Sequence, residues 1–94
     1  MPADLGEKTD RYERMLAAAL EEATQSAPDD TPLGTAAVGC LEMAESYLHD
    51  GRHFRKSDDP VNALAAFSYG YGWLDCGVRM GLFSIPEETE LFTM

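Results

Sequence analysis

Ninety-four residues, 45% of them hydrophobic, make one folded domain with a single modest core and exclude a disordered chain. The formal net charge is -10, and only Lys8 and Lys56 among the seven basic residues are lysines. No Lys/Arg cluster exists to displace counterions, so direct nucleic-acid binding is not expected. Two readings of the acidity compete: an acidic partner-binding face, or a high-salt cytoplasm where a carboxylate-rich, lysine-poor surface stays hydrated and its self-repulsion is screened. Cys40 and Cys76 stand far apart in no metal-type spacing, which suits a reduced, cytosolic setting. The N-terminal MPADLGEKTD lacks the basic-then-apolar pattern of a secretory signal. The longest uncharged run, Pro60 to Leu74, falls below the roughly 18–20 residues that span a bilayer. A soluble, cytoplasmic protein is expected, with no membrane partner.

Residues Leu5 to Ser26 read as a first helix, with Leu5, Tyr12, Met15, Leu16, Ala19, Leu20 and Ala23 on one seam. Glu7, Asp10, Glu13, Arg14, Glu21 and Glu22 populate its solvated side. SAPDDTP, residues 26–32, is the obvious loop and supplies Thr31 as a cap and Pro32 as the first position of a second helix. That helix, residues 33–56, carries Leu33, Ala37, Cys40, Leu41, Ala44, Tyr47 and Leu48 at helical spacing. The apolar phase continues through Gly51 to Phe54, which predicts Gly51 as a close-packing position and not a stop.

Ser57-Asp58-Asp59-Pro60 is a tight connection, so the second and third helices form an antiparallel hairpin. Asp59 caps the third helix, residues 60–82, and Pro60 opens it. This stretch holds the only Trp of the chain, Trp73, among glycines and aromatics that intrinsic propensity does not favour in a helix. Packing must hold it, so it is the central helix. Gly70, Gly77 and Gly81, with Ala63 and Ala66, are spaced to let another helix approach. The tail, residues 83–94, is expected to be irregular and to lay Phe83, Ile85 or Phe92 on the bundle. The whole predicts an all-α, three-helix, up-down-up antiparallel bundle. With the hairpin turn near Asp58, Cys40 and Cys76 are level, as are Tyr47 and Tyr69, and both thiols are expected to be free.

At 100° per residue, the third helix splits into faces. Ala63, Leu64, Phe67, Gly70, Tyr71, Leu74, Val78 and Leu82 form the core face. Ala65, Ser68, Gly72, Asp75 and Arg79 form a narrower stripe flanked by Asn62 and Tyr69, and Trp73 and Met80 lie on a third side. A bundle of three helices covers only part of that circumference. The remainder predicts a self-associating surface or a cover from the tail. Asp75 and Arg79, four apart, can pair, and Gly72 leaves a notch beside Ser68 that a partner backbone or small ligand can approach. The plainer account of that pair is a structural salt bridge. Glu45, His49 and His53 form a row that would hold a divalent metal only with a carboxylate from another helix; exposed histidines are the plainer account, and no metal is assigned. No phosphate loop, catalytic triad or cofactor motif is legible, and no cofactor or catalytic residue is expected.

MAESYLHDGRHF followed by DPVNALAAFSYGYGWLDCGVRMGLF resembles the archaeal domain-of-unknown-function family numbered 357. The resemblance rests on Tyr47, Asp50, Phe54, Asp59, Val61, Asn62, Ala63, Ser68, Tyr69, Gly72, Trp73, Leu74, Asp75, Gly77, Arg79 and Gly81. The chain departs from the family pattern at Asp58-Asp59-Pro60, where Gly-Asp precedes an aromatic, and at Cys76, where a plain Ala is usual. The resemblance implies a compact all-helical archaeal domain, sometimes appended to nucleotidyltransferase-like domains, with no established activity. An acidic member fits a salt-loving archaeon.

These readings converge on an interaction module that self-associates through the third helix, with Tyr69, Trp73 and Met80 as anchors and Asp75–Arg79 fixing register. The alternatives are a small ligand- or metal-binding domain using the Ser68–Asp75–Arg79 notch or the Glu45/His49/His53 row, and, by the resemblance alone, an accessory to a nucleotide- or RNA-handling enzyme.

Overall fold

In the computed structural model, which describes residues 4–87 and 89–92, helix α1 (Leu5–Glu22) starts where the Asp4 carboxylate accepts the Glu7 amide at 3.0 Å. Thr9, the one buried polar residue among the described residues, points its hydroxyl back to the Leu5 carbonyl at 2.7 Å, so no polar atom is stranded there. The helix ends at Glu22, short of the expected Ser26. Its last turn has no basic residue to favour the dipole's negative end, and Ala23 is already extended. The next two residues form strand β1 (Thr24–Gln25), which pairs antiparallel with β2 (Phe83–Ser84) in the register Thr24 to Ser84 and Gln25 to Phe83. The Ser26 amide extends the pairing to the Leu82 carbonyl at 3.0 Å.

Helix α2 (Pro32–Lys56) opens on the expected Thr31 cap, which accepts the Gly34 amide at 3.0 Å. Helix α3 (Pro60–Arg79) opens on Asp59, which accepts the Asn62 amide at 3.2 Å. Both helices end in the same way. Asp59 N–H reaches the Phe54 carbonyl and Asp58 N–H the Arg55 carbonyl; Leu82 N–H reaches Gly77 and Gly81 N–H reaches Val78. The residue after each cap is left-handed, Asp58 with φ 58° and Gly81 with φ 78°. Gly81 is therefore the stop of α3 and not the packing position expected of it. For the same reason α3 closes before Leu82.

Arg52 and Arg55 near the end of α2 bond to Glu13 on α1 at 2.9 and 2.6 Å, which sets α1 antiparallel to α2. Leu16 of α1 lies over Gly70 of α3, and β1 joins β2, so α1 and α3 run the same way. The topology is up-down-up, as expected. The α2/α3 seam is built from fully buried Ala37, Ala44, Ala63 and Phe67. A Cβ at Gly51 would come 2.2 Å from the Phe67 ring, and one at Gly70 would meet Leu16 at 2.8 Å and Tyr47 at 3.0 Å. These two glycines are what let the helices approach. Leu16, Ala19 and Leu74 complete the centre of the core. The tail is irregular apart from β2, yet it is anchored: Phe83 and Phe92 are buried, and Ile85 and Leu91 pack on the core.

Candidate functional site

The register of the hairpin decides which α3 residues find partners inside the domain. Tyr47 and Tyr69, expected to be level, also meet across the seam, with ring centroids 5.8 Å apart. Beyond that contact the same side of α3 is open. Tyr69 is 66% exposed, Trp73 41% and Met80 68%, and Met43 on α2 is 37% exposed. Ser68, Tyr69, Gly72, Trp73 and Cys76 line a shallow depression, and a Cβ built on Gly72 would meet nothing within 4 Å. The Cys76 thiol donates to the Met80 thioether at 3.6 Å. Cys76 is exposed and Cys40 half-buried, both as free thiols. Burial pushes the Cys40 thiol pKa up, and the Cys76 thiol pushes it further.

The other residues singled out from the sequence do not join this surface. Asp75 and Arg79 form their pair at 3.3 Å, but at 100° per residue Asp75 is turned about 200° from Trp73. Asn62 belongs to the start of α3, its side-chain amide donating to the Asp59 carboxylate at 2.7 Å. The tail covers the Asp75 side instead of the Trp73 side. Phe92 stacks on Tyr71 with centroids 5.8 Å apart, and Thr89 donates to Glu22 at 2.7 Å. The eight residues thus divide into a helix cap, an ion pair, and an apolar surface of Ser68, Tyr69, Gly72, Trp73 and Met80.

Between α1 and α3, Tyr12, Met15, Phe67, Ser68 and Tyr71 line a cleft of about 300 Å³. The Tyr71 hydroxyl is buried with no hydrogen-bond partner among the described residues. Burial raises its pKa, and the carboxylates of Asp75 and Glu22 raise it further. Sequence reasoning placed Tyr12, Met15 and Tyr71 in the core and missed the cleft; two tyrosines and a serine converging on an otherwise apolar seam were the available signal.

The histidine row stays apart. Glu45, Ser46, His49 and Asp50 edge an open surface with Glu42, and His49 Nδ1 lies 3.8 Å from Asp50. His53 sits instead against Phe54, with ring centroids 6.1 Å apart. Among the described residues no group of three or more His, Cys, Asp or Glu is placed to hold a metal ion. No helix is long and apolar enough to cross a membrane.

Charge is sorted along the bundle. Lys8, Arg11, Arg14, Arg52, Arg55 and Lys56 lie along α1 or at the end of α2 with Asp4, Glu7, Asp10, Glu13, Asp50, Asp58 and Asp59, so that end is nearly balanced, and Glu13 and Asp10 already bind Arg52 and Arg55 there. At the opposite end, among the described residues, Arg79 stands against Glu21, Glu22, Asp29, Asp30, Asp75 and Glu87.

A helical hairpin buttressed by a third helix, with one apolar row left uncovered, defines a small all-α domain. The chain belongs to the family described as "Protein of unknown function (DUF357)", whose model matches residues 11–83, from within α1 to the first residue of β2. Comparison with curated proteins and with solved structures finds no match.

Proposed function

We propose that this protein is an interaction module of a halophilic archaeon, acting in the cytoplasm and self-associating through the α2/α3 face. The observation that carries the reading is the row of exposed Tyr69 and Trp73 on α3 and Met80 at its C-cap. Large apolar side chains aligned on one helix face are what a partner's helix buries, and Tyr and Trp are the residue types that anchor such contacts. The open space above Gly72 gives that partner's backbone a place to approach. The charge distribution favours an antiparallel pair, in which the strongly acidic end of one copy lies beside the nearly balanced end of the other. A parallel pair would bring both acidic ends together. At a net charge of -10 two copies repel at low salt, so association strengthens as salt screens them. The small number of lysines supports the high-salt setting.

Sedimentation velocity across protein concentration, at low and at molar salt, tests this. A dimer that forms in molar salt and is lost in Trp73→Glu is the expected result. A strict monomer at micromolar concentration in both salts would remove the proposal.

A second reading, a small-ligand site in the α1/α3 cleft, is favoured by the unpartnered Tyr71 hydroxyl. A neutral, largely apolar molecule with one hydrogen-bonding group would fit such a lining. A thermal-shift screen of small aromatic alcohols and amides, repeated on Tyr71→Phe, decides it: a stabilising hit that vanishes in the variant supports the site, and a screen without hits removes it.

A further inference from the structure

From Asn62 to Cys76 every exposed position of α3 is uncharged, in a chain of which 26% is charged. Asn62, Ala65, Tyr69, Gly72 and Cys76 follow one another at steps of three and four, the spacing of a seam that packs along another helix. At 100° per residue, Ala65, Tyr69, Gly72, Trp73, Cys76 and Met80 fall within an arc of about 100°, and Asp75 and Arg79 lie outside it. Three of these side chains, Tyr69, Trp73 and Met80, are large and exposed, and the other three are small. The depression lined by Ser68, Tyr69, Gly72, Trp73 and Cys76 has Gly72 at its middle, where a Cβ would meet nothing within 4 Å.

We propose that α3 pairs with α3 of a second copy, antiparallel about a two-fold axis between the levels of Gly72 and Trp73, so that each copy's Trp73 fills the other's depression. This rests on the self-association proposed above and adds to it the axis, the register and the group that fills the depression. In a two-fold contact one patch meets itself, so knob and hole must both lie beside the axis, and Trp73 edges the depression it would fill. With the axis there, Trp73 is level with the partner's Gly72, Tyr69 with the partner's Cys76, and Met80 with the partner's Ala65. A large side chain meets a small one at all three levels. Sliding the partner one turn so that Tyr69 meets the partner's Met80 sets large on large and leaves Gly72 opposite the partner's Gly77. Sliding it the other way lays the indole on the partner's Ser68, whose hydroxyl loses its water, and Met80 on the partner's Val61. The net charge of -10 stays off the seam, because no charged side chain lies on the arc.

The test follows the full chain in molar salt, where Trp73, its only tryptophan, is the sole indole reporter. As rising protein concentration forms the dimer in sedimentation velocity, Trp73 emission shifts to the blue with the same midpoint. Gly72→Leu fills the depression from a position whose Cβ strikes nothing, so the monomer keeps its helical circular-dichroism signal while the dimer weakens about tenfold or more. Cys76 stands about 10 Å along the helix axis from the partner's Cys76, beyond the reach of a disulfide, so mild oxidation with diamide yields no cross-link between them. A dimer whose Trp73 emission does not move, a Gly72→Leu chain that dimerises like the parent, or a Cys76–Cys76 cross-link would each overturn this register and leave self-association standing. A strict monomer removes both.

Discussion

Gly51→Ala and Gly72→Ala apply the same chemical change inside two helices and should have opposite effects. Both remove a helix-interior glycine, a gain of about 1 kcal/mol from propensity. At Gly72 nothing lies within 4 Å of the new methyl, so the gain is realised almost whole, about 0.5–1 kcal/mol. At Gly51 the methyl would lie 2.2, 2.5 and 2.8 Å from three atoms of the Phe67 ring, where ordinary contact begins near 3.4 Å. The ring must retreat by more than about 1 Å, and Phe67 is fully buried among Leu16, Leu74 and Ala63, which are themselves fully buried. Displacing a buried ring that far lies at the upper end of the about 1–3 kcal/mol that overpacking costs, so after the gain of about 1 kcal/mol from propensity the net loss is about 1–2 kcal/mol. In a domain of this size that lowers Tm by roughly 4–15 °C, while Gly72→Ala raises it by a few degrees. Urea and thermal melts followed by circular dichroism, at a concentration and salt that keep the chain monomeric, measure both. Adding Phe67→Leu to Gly51→Ala recovers part of the loss if the clash is its cause. A Gly51→Ala protein as stable as its parent would refute the reasoning, because the hairpin seam would then not be held apart by that ring.

Asp58 sits left-handed at φ 58°, so Asp58→Gly should stabilise by about 0.5–1 kcal/mol in urea melts. For Glu13, burial pushes the carboxyl pKa up, but hydrogen bonds from Arg52 and Arg55, with their charge, outweigh it and hold it below its ordinary 4.5. A depressed carboxylate stabilises fully above its unfolded pKa, and that contribution is lost as pH falls through the folded value. Glu13→Gln should therefore lower stability near neutrality by up to about 1 kcal/mol and flatten the acid side of the pH–stability curve, read from urea midpoints between neutral and acid pH. Tyr71→Phe removes a buried hydroxyl that has no partner and should leave stability unchanged or raise it by up to about 1 kcal/mol, by the same melts.

Local chemistry and periodicity carried most of the fold. Thr31-Pro32 and Asp59-Pro60 mark helix starts through their own side chains, and the structure uses both caps. The short Ser57–Asp59 connection dictated the hairpin, and the phase through Gly51 marked it as a close-packing position, which the structure fills with the Phe67 ring. The tertiary structure alone decided what depends on partners distant in the chain. The end of α1 is set by Phe83–Ser84, residues that no window around Thr24 contains. The end of α3 is set by Gly81 in a left-handed turn that serves the same strand pairing, so its packing role could not be excluded from spacing. The candidate surface divides in the same way. A helical wheel could show that Trp73 and Asp75 point apart, but not which side the tail would choose. Phe92 lies on Tyr71 and leaves Tyr69, Trp73 and Met80 open, because Phe83, seated against Gly77, directs the tail back along β1. Which apolar face of α3 stays exposed is a property of where Phe83, Ile85, Leu91 and Phe92 pack, and only the assembled core determines that.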